Sequence, residues 1–177
     1  MQRLVDSIRE GLLLGKKIYI AYTGGTIGMR RSRDGYEPAP GYLQTLMGQM
    51  PELANPEMPG YTIHEYEPLI DSSDMHPRNW TAIAQDIAAN YERFDGFVVL
   101  HGTDTMAYTA SALPFMLQGL RKPVILTGGQ IPLCEVRNDS RENLITAMLI
   151  AARYQLPEVA LFFGNKLLRG NRSVKVS

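Results

Sequence analysis

The sequence predicts an α/β domain in which a parallel-rich sheet lies between layers of helices. Short apolar runs alternate with longer amphipathic segments, a pattern typical of parallel strands joined by crossover helices. Two of the runs, 18–22 and 96–100, end in loops rich in glycine and threonine. The 177 residues suffice for one domain with a substantial core. We therefore expect a three-layer architecture of Rossmann-like or flavodoxin-like type.

The strands are predicted from the apolar runs, at 18–22, 61–66, 96–100, 123–127 and 158–163. After the first strand, residues 29–40 are rich in arginine and carry the tight-turn pair Asp34-Gly35, which predicts a mobile hairpin. Residues 50–60 contain Pro51, Pro56 and Pro59 and are expected to form an irregular connection. Residues 164–177 have the composition of a loop or hairpin.

Helices are predicted where apolar residues recur at helical spacing. The clearest covers 80–91, and we expect Asp74 to cap the turn before it. Its apolar stripe is Trp80, Ile83, Ala84, Ile87, Ala88 and Tyr91. A second helix begins near Thr105 and ends near Gly119, and Pro114 is expected to kink it or end it early. A third runs from about Asp139 to Tyr154, with an apolar face of Leu144, Ala147, Met148 and Ala151.

The composition excludes several classes of protein. Lysine plus arginine and aspartate plus glutamate both number 18, so a net charge of zero gives no electrostatic footprint for nucleic acid or an anionic membrane. The single cysteine, Cys134, excludes an intrachain disulfide framework and fits a reducing compartment. No apolar run approaches a membrane span, and residues 1–16 form an extension unlike a secretory signal. We therefore expect a cytoplasmic protein.

Two strings with hydroxyl side chains follow predicted buried strands. Thr-Gly-Gly-Thr-Ile-Gly occupies 23–28, and His-Gly-Thr-Asp-Thr occupies 101–105. Open α/β sheets bind ligands in the crevice at the carboxyl ends of their strands. Two strand ends that each offer a threonine, one beside a carboxylate, predict a hydrolytic site.

Further strings in a fixed order extend this pattern. Asp-Ser-Ser-Asp-Met stands at 71–75, Thr-Gly-Gly-Gln-Ile-Pro at 127–132, and Arg-Gly-Asn-Arg-Ser-Val-Lys at 169–175. Together with the two strand-end strings, they resemble the bacterial-type L-asparaginases, and most closely the cytoplasmic type I branch. The resemblance implies that 17–177 form the N-terminal catalytic domain and that the smaller C-terminal domain of the family is absent. It also implies a homo-oligomer, a dimer or a dimer of dimers in full-length members.

The resemblance implies a catalytic role for five residues. Thr26 is the nucleophile that attacks the side-chain amide, and Tyr36 lies over it on a closing flap. Thr103 is a second catalytic threonine that positions or activates water, Lys175 assists proton transfer, and Asp104 binds the substrate α-ammonium group. A threonine hydroxyl is a weak nucleophile and needs a neighbouring proton acceptor.

Substrate binding is expected at Gly25, Ser72, Ser73, Thr103 and Asp104. The resemblance implies that Ser72 contacts the substrate α-carboxylate. The backbone N–H groups of Gly25 and Thr103 are the reasonable donors for an oxyanion hole.

Simpler interpretations of these residues remain open. Thr26 could mark a strand-to-loop turn, and Tyr36 could be an ordinary surface aromatic. Asp104 could cap the helix that follows it. Lys175 could be a solvated charge near a frayed end.

We expect no metal and no cofactor. His64, His76 and His101 lack the spacing of metal ligands, and His101 is expected to be a hydrogen-bonded structural residue. The glycines at 24–28 do not match the dinucleotide fingerprint, and no Walker lysine follows them. Cys134 is expected to be a spectator thiol.

The leading hypothesis is hydrolysis of L-asparagine to L-aspartate and ammonia through an acyl-threonine intermediate, with glutamine as an alternative substrate. The chain by itself is expected to be weakly active or inactive. A second hypothesis is the asparaginase-like subunit of a tRNA-dependent amidotransferase, but the 17 residues before the first strand are too few for the extra domain of that subunit. A third is a non-catalytic domain that folds and associates.

Overall fold

The structure is a computed structural model that describes residues 15–176. Its strands are β1 (Lys17–Tyr22), β2 (Met29–Ser32), β3 (Gly35–Pro38), β4 (Gly60–Glu65), β5 (Gly96–Leu100), β6 (Val124–Thr127), β7 (Val159–Phe163) and β8 (Lys166–Arg169). Its helices are α1 (Tyr42–Gly48), α2 (Pro77–Asn90), α3 (Met106–Met116) and α4 (Ser140–Arg153). The predicted extension at 1–16 lies almost wholly outside the described residues.

The main sheet confirms the predicted α/β architecture. Its six strands are ordered β4-β1-β5-β6-β7-β8, and β2 and β3 form a separate antiparallel hairpin. All pairs in the main sheet are parallel except β7 with β8. Counted along the chain, the parallel strands follow the 2-1-3-4-5 order of flavodoxin-like folds. The five predicted strands are found to within one residue at each end, and 164–177 contains the predicted hairpin strand.

The order of the strands determines where a ligand can bind. The chain passes from β1 to β4 on one side and then crosses to β5 on the other side of β1. At such a reversal the connections leave the carboxyl ends of two adjacent strands in opposite directions, which opens a crevice between them. That crevice lies beside the loops that follow β1 and β5.

Each face of the sheet is covered by two helices. Ile18, Ile20 and Tyr22 of β1 pack with buried residues of α1 and α4 on one face. Tyr19 and Ala21 pack with buried residues of α2 and α3 on the other. Because both faces are covered, strands such as β5 are apolar throughout rather than alternating. Burying one large apolar side chain contributes about 1.5–3 kcal/mol, so this double core holds the strand ends in place.

The start of α2 differs from the prediction. The helix begins at Pro77 rather than at 80, and the residue before it is His76, whose backbone N–H donates to Asn79 Oδ1 at 2.8 Å. The prediction that Asp74 caps the turn before this helix is wrong, because the cap of that turn is Asp71, whose side chain accepts a hydrogen bond from the backbone N–H of Ser73. Asp74 lies instead in a short 3₁₀ turn, with its carboxylate 3.2 Å from His76 Nε2.

The remaining helices mostly follow the sequence. The buried face of α2 is narrower than predicted, since Ala88 is exposed. Helix α3 ends at Met116, two residues after Pro114, which confirms the predicted early end. The face of α4 predicted from 144–151 is buried. None of the helices in residues 15–176 is both long enough and apolar enough to cross a bilayer.

Candidate active site

Three loops meet at the carboxyl ends of β1 and β5, and glycines form the contacts between them. A Cβ atom on Gly25 would lie 2.6 Å from the Cα of Gly102, and one on Gly102 would lie 2.3 Å from Ser72 Oγ. A Cβ atom on Gly24 would lie 2.3 Å from the carbonyl oxygen of Ile70. Side chains at these positions would push the loops apart, so the glycines bring the three loops together.

Threonine side chains fix the loops to their strands. The Thr23 hydroxyl donates to the carbonyl of Leu100 at 2.9 Å, which joins the end of β1 to the end of β5. The Thr105 hydroxyl donates to the carbonyl of Ser72 at 2.6 Å. The sequence led to no predicted role for Thr105. Its position in the string at 101–105 was the signal that could have indicated one.

Thr26 is the first residue of the 3₁₀ turn Thr26–Gly28 and is partly buried. The next residue, Ile27, is fully buried, and its carbonyl accepts a hydrogen bond from the backbone N–H of Leu133 at 3.1 Å. Gly25 on the other side is held against Gly102. The threonine is therefore fixed from both sides at the rim of the crevice.

Thr103, Asp104 and Lys175 form one hydrogen-bonded group. The Lys175 ammonium lies 3.1 Å from Asp104 Oδ1 and 3.4 Å from Thr103 Oγ1. The two charged side chains are 38% and 63% exposed, so this ion pair lies at the surface of the protein. Helix α3 begins after Thr105 rather than after Asp104, which removes the interpretation of Asp104 as its cap. The group places a cation beside a hydroxyl and a carboxylate.

Gln130 joins this group from the loop after β6. Its Nε2 lies 3.3 Å from Thr103 Oγ1. The string at 127–132 contributed to the family resemblance, but no role was assigned to Gln130. Its position after the strand adjacent to β5 was the signal that could have indicated one.

Tyr36 is not paired with Thr26 in the structure. It lies on the β2–β3 hairpin, 44% exposed, and its hydroxyl interacts with the side chains of Glu135 and Arg31. Arg31 Nη2 also contacts both carboxylate oxygens of Glu135, at 2.9 and 2.8 Å. Interactions with Tyr36 and Arg31 lower the pKa of the Glu135 carboxyl. The hairpin is thus tied to the loop that precedes α4.

The two serines of the 3₁₀ turn Ser72–Asp74 have different surroundings. Ser72 is buried, and its hydroxyl packs against Gly102. Ser73 is exposed, and its backbone N–H and its hydroxyl both donate to Asp71 Oδ1 at 2.9 Å. These two bonds lower the pKa of the Asp71 carboxyl. The structure therefore brings Ser72 to the strand-end loops, while Ser73 stabilises its own turn.

His101 is a buried structural residue, as the sequence predicted. Its Nδ1 lies 2.7 Å from the carbonyl of Gly102, and its Nε2 lies 2.8 Å from Thr109 Oγ1. The Trp80 indole N–H donates to the same Thr109 oxygen at 2.9 Å. Nδ1 must therefore carry the proton, while Nε2 accepts from Thr109. The network holds the backbone on which Thr103 is carried.

The stability of the fold is expected to decrease as the pH falls below about 6.5, the ordinary pKa of histidine. Burial lowers the pKa of His101, so in this range the unfolded chain gains a proton that the folded chain does not. The loss cannot exceed about 1.4 kcal/mol per pH unit for one proton. Thermal melts from pH 7.5 to 5 on the wild-type chain and on His101→Gln measure it.

Tm is expected to change less steeply with pH in His101→Gln than in the wild type. The matched control is His76→Gln, since that side chain is half exposed. Equal slopes in the wild type and in His101→Gln would contradict the assignment.

Two other polar side chains noted in the sequence, those of His64 and Cys134, lie outside the group formed by Thr103, Asp104 and Lys175. His64 pairs with Asp86 at 3.0 Å, on the face of the sheet covered by α2. Cys134 is partly buried, with its sulfur 3.6 Å from the carbonyl of Met29. Within residues 15–176, no three or more His, Cys, Asp or Glu side chains are grouped so that they could hold a metal ion.

Comparison with known proteins gives consistent matches along the chain. The family model described as "Asparaginase, N-terminal" matches residues 17–177. The L-asparaginase 1 of Escherichia coli K12 is 62% identical over 160 residues, which are 90% of this chain and 47% of that protein.

Solved structures match the fold as well. The L-asparaginase I of Vibrio cholerae superposes with a TM-score of 0.87 at 60% identity, covering 92% of this chain and 49% of that one. A structure described as a probable cytoplasmic L-asparaginase from Campylobacter jejuni has a TM-score of 0.72 at 28% identity, covering 88% of this chain and 46% of that one. The chain spans about half the length of each of these proteins.

Proposed function

The chain belongs to the asparaginase family, and from this premise we propose that it carries the nucleophile of an enzyme that hydrolyses L-asparagine to L-aspartate and ammonia. One observation supports the proposal above all. The two threonine-bearing loops that follow β1 and β5 meet at the crevice where the strand order reverses. In the second loop, Thr103 and Asp104 both contact Lys175. Hydrolysis of an amide needs a nucleophile, a proton source for the leaving amine and donors for the oxyanion.

In the proposed reaction, the Thr26 oxygen attacks the side-chain carbonyl carbon of the substrate. The hydroxyl proton of Thr26 passes to the amide nitrogen as the carbon–nitrogen bond breaks, so that ammonia departs and the acyl group stays on Thr26 as an ester. Water then attacks the ester: its oxygen bonds to the acyl carbon to give aspartate, and one of its protons goes to the Thr26 oxygen. The Lys175 ammonium, 3.4 Å from Thr103 Oγ1, lets Thr103 pass protons during these steps. The backbone N–H groups of Gly25 and Thr103 bind the oxyanion.

The charged ends of the substrate fix its orientation. Asp104 binds the α-ammonium group, and Ser72 binds the α-carboxylate from its buried position beside Gly102. Ser73 supports this contact by holding the turn in shape. A pocket of this kind distinguishes one methylene group by only about 1–3 kcal/mol, so glutamine is a slower alternative substrate.

Tyr36 takes part after a movement of the hairpin. In the structure its hydroxyl interacts with Glu135 and Arg31 instead. Closure of the hairpin over the substrate brings the tyrosine toward Thr26 and excludes water, which is a common role of such loops.

The proposed enzyme is larger than the chain considered alone. Because the relatives are about twice as long, residues 17–177 serve as the N-terminal catalytic domain and a second half completes the site. Assembly into a homo-oligomer is part of the proposal. A cytoplasmic location is supported by the single cysteine and by the cytoplasmic description of the Campylobacter jejuni protein.

An ammonia-release assay with L-asparagine tests this function. The chain alone is expected to turn over asparagine at least about 100-fold more slowly than the chain supplied in trans with the second half of Escherichia coli L-asparaginase 1. The reason is that an incomplete site misplaces reacting groups, and about 1 Å of misplacement costs on the order of 100-fold. The second half added without the chain is the control.

Absence of asparagine turnover under both conditions would remove the proposed function. Full activity of the chain alone would contradict the need for a second half. Ammonia release that requires charged tRNA would favour the amidotransferase-subunit hypothesis instead.

A further inference from the structure

The carboxylate of Asp86, on α2, binds partners from β1, from the end of β4 and from its own helix. The Tyr66 hydroxyl donates to Oδ2 at 2.9 Å, and the Tyr19 hydroxyl donates to Oδ1 at 2.7 Å. Asn90 Nδ2 donates to Oδ1 at 3.2 Å, and His64 Nδ1 lies 3.0 Å from Oδ2. The Asp86 side chain is only 14% exposed. Since hydrogen bonds to an ionised carboxylate are stronger than those between neutral groups, Asp86 holds these elements together.

Two members of this cluster stand at the two ends of the segment that carries Ser72, residues 67–76, which we call the Ser72 loop. Tyr66 immediately precedes the loop, and Asp86 lies on α2, which begins immediately after it. The 2.9 Å hydrogen bond between them therefore joins the start of the loop to the helix that follows it. Tyr19 reaches the same carboxylate from within β1, so its hydrogen bond does not bridge the loop.

The middle of the Ser72 loop is bound to the strand-end loops of the site. The backbone N–H of Ile70 donates to the carbonyl of Thr23 at 2.7 Å, and the Thr105 hydroxyl donates to the carbonyl of Ser72 at 2.6 Å. Ser72 stands only five residues before Pro77, where α2 begins. A shift of α2 away from the end of β4 would therefore pull on Ser72 and on the two hydrogen bonds of the loop.

We propose that Tyr66 and Asp86 are positioning residues that set Ser72 for the α-carboxylate of the substrate. Their hydrogen bond fixes α2 against the end of β4, and the Ser72 loop transmits this position to the site. The inference rests on the proposed function, in which Ser72 binds that carboxylate. The α-carboxylate does not react, so displacement of Ser72 weakens binding of the substrate and of the transition state alike. Such a loss raises KM and leaves kcat unchanged.

A purely structural role of the cluster predicts a different result. Loss of any one donor to Asp86 lowers the stability of the fold, whichever element the donor comes from. If stability were the only effect, Tyr66→Phe and Tyr19→Phe would behave alike. If the hydrogen bond positions Ser72, only the donor next to the Ser72 loop affects substrate binding.

The first test compares Tyr66→Phe with its matched control Tyr19→Phe, each supplied in trans with the same second half of Escherichia coli L-asparaginase 1. Phenylalanine keeps the ring and removes one hydroxyl from the same carboxylate, so both variants are expected to have a lower Tm. KM for asparagine is expected to rise about 10-fold in Tyr66→Phe, the effect of losing one hydrogen bond, and to stay within about twofold in Tyr19→Phe. In both variants kcat is expected to remain that of the wild type.

Equal changes of KM in the two tyrosine variants would overturn the inference, because the cluster would then act through stability alone. A wild-type KM in Tyr66→Phe would overturn it as well, while leaving the proposed function standing. No turnover by the wild type would remove the proposed function and this inference with it.

The second test is a double-mutant cycle with Ser72→Ala. Tyr66→Phe is expected to raise KM little further in the Ser72→Ala background, because the hydroxyl that it displaces is gone. Additive increases would mean that Tyr66 acts on another group, and would overturn the inference.

A third readout needs no activity. In the full chain, the backbone N–H of Ile70 is expected to exchange its hydrogen several-fold faster in Tyr66→Phe than in the wild type, because its hydrogen bond to Thr23 lies within the loop that is released. The rate is expected to stay unchanged in Tyr19→Phe. A wild-type rate in Tyr66→Phe would overturn the inference.

Discussion

Replacement of Thr26 by alanine is expected to lower kcat for asparagine by about 10⁴- to 10⁶-fold, the loss that follows removal of a catalytic nucleophile or its partners. The side chain is partly buried at the rim of the crevice and is held by Gly25 and Ile27 on either side. The substitution deletes the oxygen that is proposed to attack the substrate, and it is expected to leave the loops undisturbed. Kinetics in the assay with the second half, and calorimetry of asparagine binding, measure the effect.

Asparagine binding is expected to persist in Thr26→Ala, because the proposed contacts to the charged ends of the substrate come from Ser72 and Asp104. Thr26→Ser is the matched control, since it keeps a hydroxyl and is expected to retain part of the activity. Thr103→Ala is expected to be severe as well, and the double variant little worse than either single one, because groups that act as one unit are not additive. A near-normal kcat in Thr26→Ala would show that the nucleophile is another residue.

The strands were the most predictable part of this fold. A parallel strand covered on both faces must be apolar along its whole length, so its ends coincide with the ends of the apolar run. This is the case for β5 at Gly96–Leu100, where every residue is buried. The helices carry a weaker signal, because a surface helix buries only one stripe.

Two local features were missed for identifiable physical reasons. Helix α1 is only seven residues long and buries Leu43 and Met47 alone, so it has too little periodicity to stand out. The start of α2 was placed too late because the apolar stripe begins a turn after Pro77, and the stripe rather than the proline was used as the boundary.

The site was predictable only in part. The two threonine loops could be placed at strand ends from the local sequence, because each glycine-containing string directly follows an apolar run. The contact of Lys175 with Thr103 joins residues 72 positions apart, and only the family resemblance indicated it. The pair of Arg31 and Glu135, 104 positions apart, carried no sequence signal, and neither did the orientation of the Gln130 amide. Such contacts are set by the packing of whole elements.

Replacement of Gly25 by alanine is expected to lower kcat by at least about 10³-fold while the chain still folds. Its φ of +95° is strained for any side chain, and the new Cβ atom would stand 2.6 Å from Gly102, where ordinary contact begins near 3.4 Å. The loops that carry Thr26 and Thr103 must therefore separate by about 1 Å. Misplacement of that size costs on the order of 100-fold, and displacement of the oxyanion donor proposed at Gly25 costs about 100-fold or more again.

Gly119→Ala separates this effect from backbone strain. Gly119 also has a positive φ, +75°, but a Cβ atom there would meet nothing within 4 Å. Both variants are expected to lose stability through the strained φ, by about 1–3 kcal/mol, and to show it as a lower Tm. Only Gly25→Ala is expected to lose turnover, because only that glycine stands between the two threonine loops. If the two variants had similar kcat values, the close approach of these loops would not be what the reaction requires.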